Sequence, residues 1–332
     1  MKSAQVFPSW ISTAKTRFGD IKHVDGTIVE DEKDNVQEGP VSGDISCMKA
    51  PRTVYKGHLM PVRCVSFLVV PDTENTLVFS GGEDKLVIVW SLKTGEKVAQ
   101  LEGHSQRVTS LSTFSAEGFE PLLISASWDE RIRLWPLKDC LSKATASSTL
   151  SEIKILSEAV SAQSTVLKGH VNRIFSTTVI HRQGDRPSLA SGSSDNTIRI
   201  WSLPDGALLH VLEDDGDVTW NLCLSSWHIS SDLNGPFDGS VIISGCKNST
   251  VRIWQHSVGK PIARTASIQG SFSAMNGSTR TRRTSSGDVV MVLSGHSSGV
   301  HSLAPFDYRG EPYVATVCKD LDIRIFSLLT GI

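Results

Sequence analysis

The chain has 332 residues, of which 39% are hydrophobic and 20% charged, and its formal net charge is -2. That balance is ordinary for a globular chain and gives bulk charge no part in drawing it to nucleic acid or to a membrane surface. No stretch approaches the roughly 20 apolar residues of a membrane-spanning helix, the N-terminus lacks a signal-peptide apolar core, and the six cysteines include no C-x-x-C pair of the kind a zinc site uses. These features predict free, buried thiols in a reducing compartment, the cytoplasm or nucleus, and no metal or cofactor.

In chain order, residues 1–50 read as a separate segment. Ile21 to Glu30 spells a β-hairpin around Asp25-Gly26, and Glu30 to Gly43 is an acidic linker rich in turn formers. Arg52 to Lys56 reads as a short strand leading into Gly57-His58. From there to residue 332 one pattern recurs five times. The first unit runs from His58 through an alternating strand (Val62, Val65, Phe67) to Ser80, Asp84 and Trp90, with a fourth strand after the Thr94-Gly95 turn. The second carries His104, Ser125, Asp129 and Trp135, and the third His170, Ser191, Asp195 and Trp201. The fourth has Asp214-Asp215 in place of Gly-His, followed by Ser244, Asn248 and Trp254. The fifth has His296, Thr316 and Asp320 but closes on Phe326. In every unit the acid or amide precedes the closing aromatic by six positions, and a hydroxyl residue precedes that by four.

Three insertions interrupt the period. Residues 140–163 hold a capping box, Thr149 to Glu152, followed by Leu150, Ile153, Leu156 and Val160 at helical spacing. They predict a short helix packed on a sheet edge, with a partner-docking helix as the alternative. Residues 228–239 read as a loop. Residues 262–288 are rich in Ser, Thr and Gly, a composition that predicts no regular structure. Within them Arg282-Arg283-Thr284-Ser285 is similar to a basophilic kinase site, which makes Ser285 a candidate phosphosite.

These motifs resemble the WD-repeat family, and the resemblance covers roughly residues 52–332. It implies an all-β fold, a β-propeller of four-stranded antiparallel blades with five recognisable repeats. It also implies a hydrogen-bonded tetrad of His, Ser or Thr, Asp and Trp in each blade, complete in the first three units. The fourth unit lacks the His, and Phe326 brings no indole N–H to the fifth. Ser, His and Asp together also suggest a hydrolase triad, but a set repeated in blade after blade reads as structural, and no G-x-S-x-G, phosphate-loop or H-E-x-x-H motif accompanies it. The chain stops after a third strand, so the resemblance implies closure of the last blade by Arg52 to Lys56. Family members usually have seven blades. The five units here leave open a five-bladed ring, a further degenerate blade drawn from residues 1–50, or a shortened chain.

The resemblance further implies that partners dock where three positions per blade line one face: three and five after the His, and one before the turn Asp. Those positions are Pro61, Arg63 and Glu83; Arg107, Thr109 and Trp128; Arg173, Phe175 and Ser194; Gly299, His301 and Lys319. In the fourth unit, with Asp215 at the His position, they are Val218, Trp220 and Lys247. Arginines and large aromatics dominate interface hot spots, and cations outnumber the single acid, Glu83. The face therefore predicts a non-catalytic scaffold or substrate-receptor propeller, one subunit of a larger complex, binding an acidic or phosphorylated protein segment. The alternative is nucleic acid on the same face, which steep salt dependence would reveal. An enzyme on the propeller frame is the third class, and no convergent acid, base or metal set points to it.

Overall fold

The computed structural model describes residues 54–69, 76–143, 149–181, 186–203, 205–213, 219–229, 239–255, 273–274, 277–283 and 289–329. The expected hairpin at Ile21–Glu30, the acidic linker and Ser285 lie outside the described residues.

The alternating apolar runs form five antiparallel sheets. The first contains β1 (Val62–Val69), β2 (Thr76–Gly82), β3 (Val87–Ser91) and β4 (Lys97–Leu101), in that order. The second contains β5 (Val108–Phe114), β6 (Leu122–Ser127), β7 (Arg131–Pro136) and β8 (Thr165–Lys168), with α1 (Lys138–Lys143) and α2 (Leu150–Ala162) between its last two strands. The third contains β9 (Ile174–Ile180), β10 (Ser188–Ser193), β11 (Ile198–Ser202) and β12 (Leu208–Leu212). The fourth is built on β13 (Asn221–Ile229), β14 (Gly239–Cys246) and β15 (Val251–Gln255) and continues through later segments. The fifth contains β19 (Val300–Tyr308), β20 (Glu311–Cys318) and β21 (Ile323–Ser327).

The first strands carry the packing between sheets: β1 lies against β5, β5 against β9, β9 against β13, and β13 against β19. The approach is close enough to dictate residue size. A Cβ on Gly81 of β2 would stand 2.7 Å from the Val108 side chain of the next sheet, and one on Gly245 of β14 would meet Val300 at the same distance. Only glycine fits where a neighbouring strand comes that near.

Helix α2 bears out the bland expectation for the first insertion. Thr149 and Glu152 form the reciprocal capping box. Val160 joins the core cluster of the first sheet, with Leu156 packed against it. Ser157 Oγ accepts from Gln100 N at 2.8 Å and Ser161 Oγ from Glu102 N at 3.3 Å. One turn of helix separates the two serines, so a helix inserted in the second sheet covers the free edge of β4 in the first. Leu150, counted at helical spacing, faces solvent.

Three expectations need correction. The segment expected to be unordered, 262–288, contains β16 (Ser273–Ala274) and β17 (Gly277–Arg283). β17 pairs with β18 (Val289–Leu293), so the fourth sheet runs β13-β14-β15-β18-β17-β16. Backbone pairing on an open edge needs no apolar side chains, which is why composition missed it. The second insertion is shorter than 228–239, because β13 extends through Ile229 and β14 starts at Gly239. The third is the register of β13, fixed by its pairing with β14. Arg52 and Thr53 of the expected closing strand lie outside the described residues; among those described, the fifth sheet has three strands and Tyr55 packs its ring 5.2 Å from that of Trp90 in the first sheet.

Candidate functional site

The recurrent polar residues assemble as the repeat requires. In the first sheet His58 Nδ1 lies 2.9 Å from Asp84 and Nε2 2.8 Å from Ser80 Oγ, which also accepts from Trp90 Nε1 at 2.8 Å. The second sheet repeats this with His104, Asp129, Ser125 and Trp135, and the third with His170, Asp195, Ser191 and Trp201. Each Asp also accepts the backbone N–H of the residue after the His, as Asp195 does from Val171 at 3.1 Å. Burial alone would push the Asp195 carboxyl up, but the hydrogen bond and charge of His170 and the donors of Thr197 outweigh it and hold the group well below the carboxylate range. Asp129 is lowered by the same balance, with His104 as its partner. Ser125 and Ser191 are fully buried, so no substrate reaches their hydroxyls and the triad-like sets act as fasteners.

The last two blades hold partial versions. Trp254 Nε1 donates to Ser244 Oγ at 3.0 Å, and Asn248 N donates to Thr219 Oγ1 at 3.1 Å. His296 contacts Asp320 and Thr316, both at 2.8 Å, with no indole above them. Cys318 lies beside that pair, and His296, Cys318 and Asp320 place their ligand-type atoms within 4.8 Å of one another. The His–Asp distance is the same hydrogen bond found in the first three blades, so the group reads as a tetrad with a thiol alongside. Four further cysteines, Cys64, Cys140, Cys223 and Cys246, are buried thiols outside any disulfide; burial pushes that of Cys140 up to about 12.

One face carries a continuous line of cations and rings. Glu83 Oε1 accepts from Arg63 Nε at 2.7 Å and from Arg107 Nη1 at 2.6 Å. The Arg107 guanidinium stands 4.1 Å from the Trp128 ring centroid, and that of Arg173 stands 4.2 Å from it. Both guanidinium groups thus pack against the one indole. Phe175 meets Trp128 edge-on at 6.3 Å and stacks with Trp220 at 6.0 Å. Lys247 Nζ lies 3.5 Å from the Trp220 centroid.

Eight of the ten expected face residues are thus in one line: Arg63, Glu83, Arg107, Trp128, Arg173, Phe175, Trp220 and Lys247. Phe175 is only 7% exposed and spaces the two indoles apart instead of presenting itself. Lys319 is exposed on the fifth blade and His301 half-buried there, both beyond the Lys247 end of the line. Trp220 occupies a different position from the one assigned. Its carbonyl accepts Lys247 N at 3.0 Å, as the Arg107 carbonyl accepts Trp128 N at 3.2 Å and the Arg173 carbonyl accepts Ser194 N at 2.9 Å. It therefore stands three positions after the missing His, where Val218 had been placed, and the His position moves from Asp215 to Asp217. Asp217 and Val218 lie outside the described residues.

Sequence reasoning passed over a second repeat signal. Arg133, Arg199, Arg252 and Arg324 each stand two residues before the closing aromatic. Arg133 donates to the Gly103 carbonyl at 2.8 Å and packs on Trp135, tying the Gly-His turn to the third strand.

Comparison with known proteins agrees with this geometry. The family profile described as "WD domain, G-beta repeat" matches residues 49–91, 95–136, 161–202, 210–255 and 287–327. The nuclear distribution protein nudF of Aspergillus niger is 25% identical over 84% of the chain and 62% of its own length. A ribosome biogenesis protein WDR12 homolog of Chlamydomonas reinhardtii is 26% identical over 59% of the chain and 43% of its own length. The chain thus spans less than two thirds of these relatives. Among solved structures, that of the RRP9 WD40 repeats superposes with a TM-score of 0.52 at 17% identity, covering 82% of this chain and 62% of that one.

Proposed function

Because the chain belongs to the WD-repeat family, with five repeats matched, we propose that it is a non-catalytic interaction platform whose line of cations and rings binds an acidic or phosphorylated protein segment. The observation that carries this reading is the pairing of cations with indole rings along one rim of three successive blades. Arginine forks suit carboxylates and phosphates, and a Trp packed against cations loses little side-chain freedom when a partner covers it. A place in the cytoplasm or nucleus, as a subunit of a complex, fits relatives named for nuclear distribution and ribosome biogenesis. Among the described residues no helix is long and apolar enough to cross a membrane.

The test compares two tryptophans by thermal melt and by affinity capture. Trp128→Ala removes a half-exposed ring and is expected to fold, at a cost of no more than about 1–2 kcal/mol, while partner capture drops at least thirtyfold. Trp135→Ala empties a fully buried site and is expected to cost about 3–5 kcal/mol. A Trp128→Ala protein that folds and captures partners normally would overturn the assigned face. Retention dominated by nucleic acid, with binding that weakens steeply with salt, would favour the alternative ligand.

A further inference from the structure

The charges along the line are not equivalent. Arg63 and Arg107 converge on one carboxylate, that of Glu83, so these three groups together carry a single net positive charge. Arg173 and Lys247 have no carboxylate partner among the described residues, and both are exposed. Each lies on an indole, Arg173 on Trp128 and Lys247 on Trp220, with buried Phe175 between the two rings. The ring steps of 6.3 and 6.0 Å, with the cations 4.2 and 3.5 Å from their rings, keep Arg173 and Lys247 within about 20 Å of each other, which an extended chain covers in no more than about six residues at about 3.3 Å each. Trp128 Nε1 is buried without a hydrogen-bond partner, adding a donor with no acceptor at the Arg173 end. The ends of the line are anchored by backbone: the carbonyls of Arg173 and Trp220 are tied to the turns that follow β10 and β14.

We propose that this rim reads two acids at once: a single extended protein segment with two carboxylate side chains no more than about six residues apart, one on Arg173 and the other on Lys247, with an apolar side chain between them. The inference rests on the reading of this face as the acid-binding one and adds its spacing rule. A rigid pair of cations rewards a second acid only where the chain delivers it without bending, so the two contacts couple when the spacing fits and act singly when it does not. Glu83 already engages the cations of the first and second blades, which leaves Arg173 and Lys247, on the third and fourth, as the two without a carboxylate among the described residues.

The experiment uses an array of synthetic peptides with two glutamates at separations of one to six residues and a leucine or glycine midway, probed with the full chain and followed by fluorescence anisotropy. Binding is expected to peak at one separation in peptides with a central leucine, and replacing either glutamate of that peptide by alanine is expected to weaken binding about tenfold. Arg173→Ala and Lys247→Ala, both exposed and checked for folding by thermal melt, are each expected to lose a similar factor on the two-acid peptide. Lys247→Ala should leave a peptide lacking the matching glutamate unaffected. Binding that depends on total charge but not on spacing, or losses from the two variants that show no coupling, would overturn the two-point proposal while leaving the face intact. Failure to retain any acidic peptide would overturn both.

Discussion

In the third blade Ile198 and Ile200 of β11 are 0% and 1% exposed, whereas their counterparts in the fifth, Ile323 and Ile325 of β21, are 73% and 57% exposed. The strands are alike in sequence and in pairing; what differs is the neighbour. The fourth blade covers β11, and no blade follows the fifth among the described residues. The first blade shows the mirror image: Val62 of β1 is 45% exposed, where Ile174 of β9, at the same place in the repeat, is 0%. The demand for a small residue relaxes at the same boundary, because Val317 of β20 stands where β2, β6, β10 and β14 have Gly81, Ala126, Gly192 and Gly245. Stability in this architecture therefore lives in the seams as much as in the blades, as expected of stacked repeats.

The comparison is broken most strongly through the closing aromatics. Trp201 is buried and donates to Ser191 at 2.9 Å. Trp201→Ala is expected to lower unfolding free energy by about 3–5 kcal/mol, through the cavity and the lost indole hydrogen bond. Phe326 is half-buried with no hydrogen bond to lose, and Phe326→Ala should cost about half as much or less. Equal losses in chemical denaturation would mean that the exposed side of the fifth blade is covered in solution.

A smaller effect separates the blades by pH. Asp195 and Asp129 have folded-state pKa values lowered by their His partners and amides despite burial. A depressed carboxylate stabilises the fold fully above its unfolded pKa, about 3.9, and loses that contribution as pH falls toward the folded value. Melting temperature should thus hold from neutrality to about pH 4 and then decline. Asp195→Asn, which gives the third blade the residue already present at Asn248 in the fourth, is expected to cost about 1–3 kcal/mol at pH 7 and to flatten the acid decline. An unchanged acid slope would mean that other groups carry it.

How far the sequence discloses these features follows from how local each one is. The tetrads were legible because each depends on a fixed interval inside one hairpin: four residues from hydroxyl to acid, six more to the aromatic. The His is joined to its Asp across 26, 25, 25 and 24 positions in the four blades that have one. No count from the turn could therefore place a missing His, and Trp220 was set two positions away from its true register. Only the pairing of β13 with β14, including its irregularity between Asn221 and Cys223, fixes it. The strand β17 and the docking of α2 on β4 were hidden for a related reason. The helix docks on β4 through two serines across 57 and 59 positions, and the strand pairs with neighbouring β18 through backbone groups; neither contact leaves a periodic signal. For the candidate site, the residue types were readable and their sorting was not. Nothing in the sequence says that Glu83 pairs with Arg63 and Arg107 but not with Arg173, or that Phe175 is buried between the two tryptophans.

The smallest effect tests the fifth blade at its tip. The residue after the turn acid is left-handed in every blade, with φ of 70° at Lys85, 68° at Glu130, 72° at Asn196, 70° at Ser249 and 68° at Leu321. That conformation strains a residue with a Cβ by roughly 1 kcal/mol, and Asn tolerates it best after Gly. Asn196 suits its site. Leu321 does not, and at 97% exposure it gains no burial to offset the strain. Leu321→Asn is accordingly expected to raise stability by about 0.5–1 kcal/mol, and Asn196→Leu to lower it by a similar amount, both read from midpoint shifts in urea. The pair controls for the turn itself, since backbone and hydrogen bonding match in the two blades. A loss on Leu321→Asn would mean that the leucine gains more from contact with another surface than it loses to strain, and the bare end of the fifth blade would then be a covered one.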